Sequence, residues 1–222
     1  LDIRHDSEKV KEFADIMLTG FYDRSRADRP AGFHRSDAIA CPLRAYWRVT
    51  GELTAEYSTG DVGILLLGTL AHIALHKYFD ASEKEYDLNG VFITVDALRG
   101  EYPIETKTTR HKVYRKEDLL PDWLEQLAIA MGVMKVNKGY LMILNVINFS
   151  LTVWEITMTQ EEREMFVQSC IWQIISIADA IEKKNPKLLS PKSSDCKWCP
   201  YKPKRDKQGC PFYKVVESKP QT

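Results

Sequence analysis

The 222-residue chain has no long apolar run, no excess of either charge, no internal repeat and no low-complexity tract. Its longest apolar stretch, Gly63 to Leu75, is interrupted by Gly68, Thr69 and His72. That falls short of the ~18 residues a membrane-spanning helix needs, so no membrane partner is expected. The opening segment LDIRHDSEKVKEF is charged and lacks the apolar core of a signal peptide. A cytoplasmic location is therefore expected. Thirty-one basic residues balance 31 acidic ones, which excludes a protein that coats nucleic acid along its whole surface. A local basic groove remains open, because steering depends on where charge sits. No G-x-x-x-x-G-K-[ST] phosphate loop is present, so no ATP motor is expected. What is there is ordinary globular composition, 44% hydrophobic and 28% charged, enough for one large domain or one domain with a small appendage.

Hydrophobic spacing then places the elements. Val10, Phe13, Ala14, Met17, Leu18 and Phe21 recur at helical intervals and predict an amphipathic helix over residues 7–22. Ser36-Asp37 offers an N-cap for a helical segment reaching Thr50, with Pro42 near a turn start and Gly51 as the stop. Residues 62–80 read as a long helix capped by Asp61, apolar nearly all round and hence central and buried. EYDL is a short strand, Asn89-Gly90 a hairpin turn, VFITVDAL a strand, Arg99-Gly100 a second turn and EYPIETKTT the returning strand. Pro121 starts a further helix, which Gly139 is expected to end. YLMILNV and FSLTVWEITM read as two more strands. Thr159 and Glu162 form a capping box for a long helix ending near Lys183-Lys184, before Pro186. The acidic stretch Gln160–Glu164 suits a helix start. Strands flanked by helices indicate an α/β fold with a mixed central sheet. The expected organisation is a helical region at 1–60, a core at 61–185 and a Cys-rich tail at 186–222 too short to bury a core of its own.

The segment GVFITVDALRGEYPIETKTTR carries the most chemistry. Glu105 and Lys107 stand two apart on one strand, so they project from the same face. The Arg99-Gly100 turn folds Asp96 towards Glu105. Two carboxylates held together repel, and a hard divalent cation relieves the repulsion through their oxygens. A lysine beside them can hold or deprotonate a water and offset charge on a pentavalent phosphate. This is a workable kit for metal-assisted phosphodiester hydrolysis. The plainer reading is an exposed charged hairpin, since Glu-x-Lys is common on solvated strands. His72, in GTLAHIAL, lies on the apolar helix upstream and needs a partner there. The remaining histidines, His5, His34, His76 and His111, read as structural or surface residues.

Four of the five cysteines form a pattern. Cys196-x2-Cys199 is followed after ten residues by Cys210, and Cys41 lies more than 150 positions upstream. In a reducing compartment such a set favours metal over disulfides. A distant Cys41 would clip the tail onto the N-terminal region, closing a long loop. Zinc and iron–sulfur clusters both accept four thiolates. Pro42, Pro200 and Pro211 directly follow three of the cysteines and stiffen those turns. Cys170, within an amphipathic helical stretch, is most simply a small buried hydrophobe. Lys197, Lys202, Lys204 and Arg205 crowd the tail together with Lys207 and Lys214, interleaved with Trp198, Tyr201, Phe212 and Tyr213. Aromatic stacking plus backbone attraction suits single-stranded DNA. Equally, the aromatics would shield a cluster and the lysines keep the tail soluble.

Asp96-x8-Glu105-x-Lys107 resembles the PD-(D/E)xK nuclease core, and Gly68-x-x-x-His72 ahead of it resembles the first motif of RecB-type nucleases. With Cys41-Pro42 and the three tail cysteines, the ordered set resembles the CRISPR-associated exonuclease family numbered four among the Cas proteins, over nearly the whole chain. The resemblance implies a restriction-endonuclease-like core with a C-terminal iron–sulfur staple. Cys41, Cys196, Cys199 and Cys210 would hold the cluster, [4Fe–4S] in preference to [2Fe–2S]. His72, Asp96, Glu105 and the Thr106 carbonyl would hold Mg²⁺ or Mn²⁺, with Lys107 orienting the attacking water. It further implies cleavage of single-stranded DNA ends, and a role beside a CRISPR integrase in acquiring spacers for antiviral defence. One position departs from the family: RecB-type nucleases carry Gln-x-x-x-Tyr on the following helix, and here Gln126 is followed at that spacing by Ala130. Gln126 is retained as a contact to the site, with Tyr140 as the candidate substitute for the absent tyrosine. The competing readings are a non-catalytic iron–sulfur scaffold presenting DNA ends to an integrase, and a zinc-stapled binding module.

Overall fold

The computed structural model describes residues 32–57, 66–70, 79, 81–192, 195–196, 199–203 and 209–213. Its centre is a mixed six-stranded sheet of β1 (Phe33–His34), β2 (Ala81–Leu88), β3 (Val91–Arg99), β4 (Tyr102–Thr109), β5 (Lys138–Asn145) and β6 (Leu151–Thr157). The order is β1-β3-β4-β5-β6, with β2 also paired to β3. Among the described residues, the helices α1 (Arg35–Ile39), α2 (Pro42–Thr50), α3 (Pro121–Met134) and α4 (Gln160–Glu182) accompany it. The fold is thus α/β with a mixed sheet and flanking helices, as the sequence pattern predicts. Among the described residues, no helix is long and apolar enough to cross a membrane.

The first hairpin turn forms where the sequence placed it, whereas the second is Gly100-Glu101, because Arg99 stays in β3 and pairs with Tyr102. Asn89 and Gly90 both take positive φ, and the Asp87 carboxylate accepts from the Gly90 N–H at 2.7 Å. That geometry matches the twist of β2 and β3. Strand β2 starts earlier than EYDL, because pairing with β3 continues back to Ala81↔Leu98. Parallel β4 and β5 need a crossover, and α3 supplies it. Leu127 and Met131 of α3, both fully buried, pack with Leu141 and Ile143 of β5. Burying such a side chain contributes roughly 1.5–3 kcal/mol.

Gly139 does not end that helix. The helix stops at Met134, with Lys135 in the left-handed conformation, and Gly139 lies inside β5. A Cβ on Gly139 would stand 2.8 Å from Leu127 Cδ1 and 3.1 Å from Met131. The glycine is a notch that lets α3 approach the sheet, a packing demand that reads locally as a helix stop.

The segment expected as one helix up to Thr50 is two. α1 begins one residue before Ser36, with His34 as N-cap, and Asp37 accepts from the His34 N–H at 2.9 Å. The chain then breaks at Ala40–Cys41, and Pro42 restarts it as the first residue of α2, which Gly51 closes at φ 69°. Residues 66–70 are helical, but Leu67 and Leu70 are 50% and 53% exposed, so this described part is not centrally buried. Only its Gly68 side is pressed close, where an added Cβ would meet Thr108 Oγ1 at 3.2 Å. The rest of the predicted 62–80 helix except Phe79, and the predicted helix at 7–22, lie outside the described residues. The Thr159–Glu162 capping box is formed: Thr159 Oγ1 accepts from the Glu162 N–H, and Glu162 Oε2 accepts from the Thr159 N–H.

Candidate carboxylate cleft and cysteine pocket

Strand pairing creates a notch in the sheet. β2 and β1 both pair with Val91 and Phe92 of β3, so they must lie on opposite edges of it. β1 therefore shares an edge with β4, which pairs only at Ala97–Arg99. Between them, at residues 93–96, that edge of β3 is open. Packing changes sides at the same place: Val95 and Leu98 pack with Ala130 of α3, whereas Ala97 joins Ile104 and Met142 in a separate cluster. Asp96 stands at this parting of the strands. Its Oδ2 accepts from the Thr106 N–H at 2.8 Å, a donor that a continuous ladder would have used.

Glu105 faces α3, because it is aligned with Leu141 and shares that residue's side of the sheet. It is 1% exposed. An ionised carboxylate there needs compensation. Lys107 Nζ donates to Glu105 Oε1 and, at 2.7 Å, to Gln126 Oε1. Arg35, 7% exposed, places Nη1 at 3.0 Å from Glu105 Oε2 and Nη2 at 4.0 Å from Asp96 Oδ1. The same Nη1 donates to the Gln126 backbone carbonyl at 2.9 Å. Burial pushes the Glu105 carboxyl up, but the Arg35 and Lys107 charges outweigh it and hold the group below the ordinary carboxylate range. The Thr106 side chain is fully buried, and its Oγ1 has no partner.

The hairpin thus brings together Asp96, Glu105, Thr106, Lys107 and Gln126. His72 lies outside the described residues, and no group of three or more His, Cys, Asp or Glu side chains among the described residues is gathered for one ion. Asp96 and Glu105 alone make two. Their fit to a cation is nonetheless visible, since both lie beside one guanidinium, a cation already inside the cleft. Tyr140 does not replace the tyrosine missing at Ala130. It is aligned with Ile104, on the opposite face of the sheet from Glu105, and stacks edge-on to Tyr102 at 6.3 Å. Ala130 itself is buried against Val95 and Leu98, which fill the space a larger ring would need. Arg35 is the participant the sequence did not single out. In a segment holding several arginines nothing marks it; only β1 pairing with β3 delivers it to the notch.

The second assembly lies at the far end of α1. Cys41, Cys196, Cys199 and Cys210 line one small cavity of about 20 Å³. All are free thiols. The Asp195 carboxylate accepts from the Cys41 N–H at 2.9 Å, and the Lys192 N–H points at Cys41 Sγ at 3.4 Å. Lys192 Nζ ties this turn to the Ile39 carbonyl and to Asp122 at the start of α3, each at 2.8 Å. The Pro200 carbonyl accepts from the Glu56 N–H. Burial pushes the Cys199 thiol up. Trp47 lines the same cavity, and its indole N–H is buried without an acceptor. The four thiols line one small cavity, but among the described residues no group of three or more His, Cys, Asp or Glu side chains is gathered for one ion, and that holds for these cysteines as it does for the cleft. Cys170 is apart, buried beside Ile174 and Ile177 with its thiol pushed up to about 11 by burial, consistent with a small hydrophobe. Tyr201 is buried and Phe212 and Tyr213 pack against the same core, so these three aromatics shield the pocket. Lys202 is half-buried, while Lys197, Trp198, Lys204 and Arg205 lie outside the described residues.

No family model matches this chain, and no curated protein does. Among solved structures it is similar to the crystal structure of SSO0001, with 22% identity and a TM-score of 0.54, covering 86% of this chain and 94% of that one. A second solved structure is an alkaline exonuclease (LHK-Exo) from Laribacter hongkongensis, at 12% identity and a TM-score of 0.47, covering 71% of this chain and 93% of that one. The likeness to SSO0001 is one of fold.

Proposed function

We propose that this chain is a metal-dependent deoxyribonuclease with a PD-(D/E)xK-type centre at Asp96, Glu105 and Lys107, acting on single-stranded DNA ends. One observation carries the reading: a fully buried glutamate, kept ionised by two cations, shares one of those cations with a second carboxylate across a parting of strands. A surface hairpin has no need to bury and compensate such a group. Asp96, Glu105, the Thr106 carbonyl and His72 would hold Mg²⁺ or Mn²⁺. When bound, such an ion acidifies water and stabilises charge on the phosphate and the leaving 3′ oxygen. Glu105 and Gln126 aim the Lys107 ammonium from two sides, which suits it to orient the attacking water and offset phosphate charge. In the same reading the four cysteines hold an iron–sulfur cluster in preference to zinc, and the enzyme prepares DNA ends for a CRISPR integrase.

The test is digestion of end-labelled single-stranded DNA with Mn²⁺ by anaerobically purified protein, wild type beside Glu105→Ala and Lys107→Ala. The expected result is cleavage by wild type, none by Glu105→Ala, and a rate lower by roughly a thousandfold in Lys107→Ala, within the usual range for a positioned acid–base group. Full activity in Lys107→Ala, or none in folded, iron-replete wild type, overturns the reading. A colourless protein with stoichiometric zinc overturns the cluster assignment alone.

A further inference from the structure

Resting on that reading of the cleft, we infer that Arg35 is a built-in counter-ion of the metal site, occupying the place of a divalent cation between Asp96 and Glu105 and competing with it. The first support is position. Arg35 follows directly on His34, whose pairing with Phe92 sets it at the open edge of β3 between β1 and β4. The second is geometry. One buried guanidinium reaches Glu105 at 3.0 Å, Asp96 at 4.0 Å and the Gln126 carbonyl at 2.9 Å. The third is charge. Asp96 and Glu105 contribute two negative charges, and Arg35 and Lys107 two positive ones, so the cleft is balanced with no guest. A divalent ion entering it would leave these groups with a surplus of positive charge.

Arginine cannot relieve this by losing its proton. It must turn aside or be tolerated at a cost to ion affinity. The Gln126 carbonyl accepts from the same Nη1 that faces Glu105, so it would keep the guanidinium anchored at the cleft. This device keeps a buried glutamate paired in the ion-free protein and sets a threshold of metal concentration for filling the site.

The two roles predict opposite effects of one substitution, which a purely structural arginine does not. Arg35→Met removes the charge and the packing contacts of the head group. Arg35→Gln also removes the charge but keeps an amide donor for Glu105 or the Gln126 carbonyl. Mn²⁺ binding to the whole protein is read by calorimetry, and Tm is read with and without Mn²⁺, beside wild type and Glu105→Gln. Both arginine variants should melt lower than wild type in the absence of Mn²⁺. Both should bind Mn²⁺ tighter, by about tenfold or more for a unit charge removed a few ångströms away. Their Mn²⁺-induced rise in Tm should be larger than that of wild type. If one variant does not fold, the other reads the same quantity. Mn²⁺ binding that is unchanged or weaker in a folded arginine variant, while wild type binds and Glu105→Gln does not, overturns the role of Arg35 and leaves the metal site standing. No Mn²⁺ binding in wild type or in either arginine variant overturns both.

Discussion

The hairpin cleft and the cysteine pocket sit at opposite ends of α1, and they gather different kinds of side chain, charged groups in one and thiols in the other. In the cleft the protein provides its own compensation: Arg35 and Lys107 flank Glu105, and a backbone N–H serves Asp96. In the pocket it does not. Four free thiols surround a hollow, burial pushes Cys199 up, and the Trp47 N–H finds no acceptor. The charged groups of the cleft are paired within the protein, whereas the pocket is lined by thiols and apolar side chains. The two are mechanically joined, because α1 carries Arg35 at one end and leads into Cys41 at the other, and Lys192 ties the Cys41 turn to the α3 start.

The sharpest way to break that contrast is at the pocket. On the proposed iron–sulfur reading, Cys196→Ala should empty it of iron and loosen the tail. Because the closed loop exceeds 100 residues, the stability loss should be about 5 kcal/mol, by analogy with cross-links of that length. Iron analysis and a melting curve check it; full iron and an unchanged Tm would reject the pocket as a staple.

A smaller effect is expected in the cleft, where compensation is internal. Glu105→Gln leaves Arg35 buried with a neutral partner and should cost about 3 kcal/mol at pH 7, the usual scale for breaking a buried pair. The pH dependence has a definite sign. The Glu105 carboxyl is held below its ordinary value of 4.5 in the folded state. Its contribution is therefore present above the unfolded value and lost as pH falls through the folded one. Denaturant melts from pH 7 down to about pH 3 should show the wild-type advantage over Glu105→Gln shrinking in the acid range. A constant difference would mean the carboxylate charge does no stabilising.

The smallest effect tests the scaffold that positions both sites. Gly139→Ala puts a Cβ against the flexible ends of Leu127 and Met131, which can give way. The cost should be about 1 kcal/mol, at the low end for overpacking, with iron content unaffected. A urea melt checks it, and a gain in stability would show that α3 has slack against the sheet.

Local features were legible where their cause is local. The Asn89-Gly90 turn, the Thr159–Glu162 box, the Pro42 and Pro121 starts and the Gly51 stop all work through neighbours within a few residues. The approach of Asp96 to Glu105 was readable for the same reason, since a short turn joins their strands. Gly139 misled because its glycine answers to a helix packed above it rather than to its own backbone. Tyr140 misled because only the register with Ile104 shows which face it takes.

The sequence by itself determined the element types, the mixed α/β character and the residue kinds that make hydrolysis of a phosphodiester conceivable here, because periodicity, caps and turns are short-range properties. Only the tertiary structure decided that β1 and β4 share one edge of β3 and that the gap between them admits Arg35. Those outcomes depend on which strands pair and where helices press. Such choices are made by the summed burial of many distant side chains, and no window of neighbouring residues contains them.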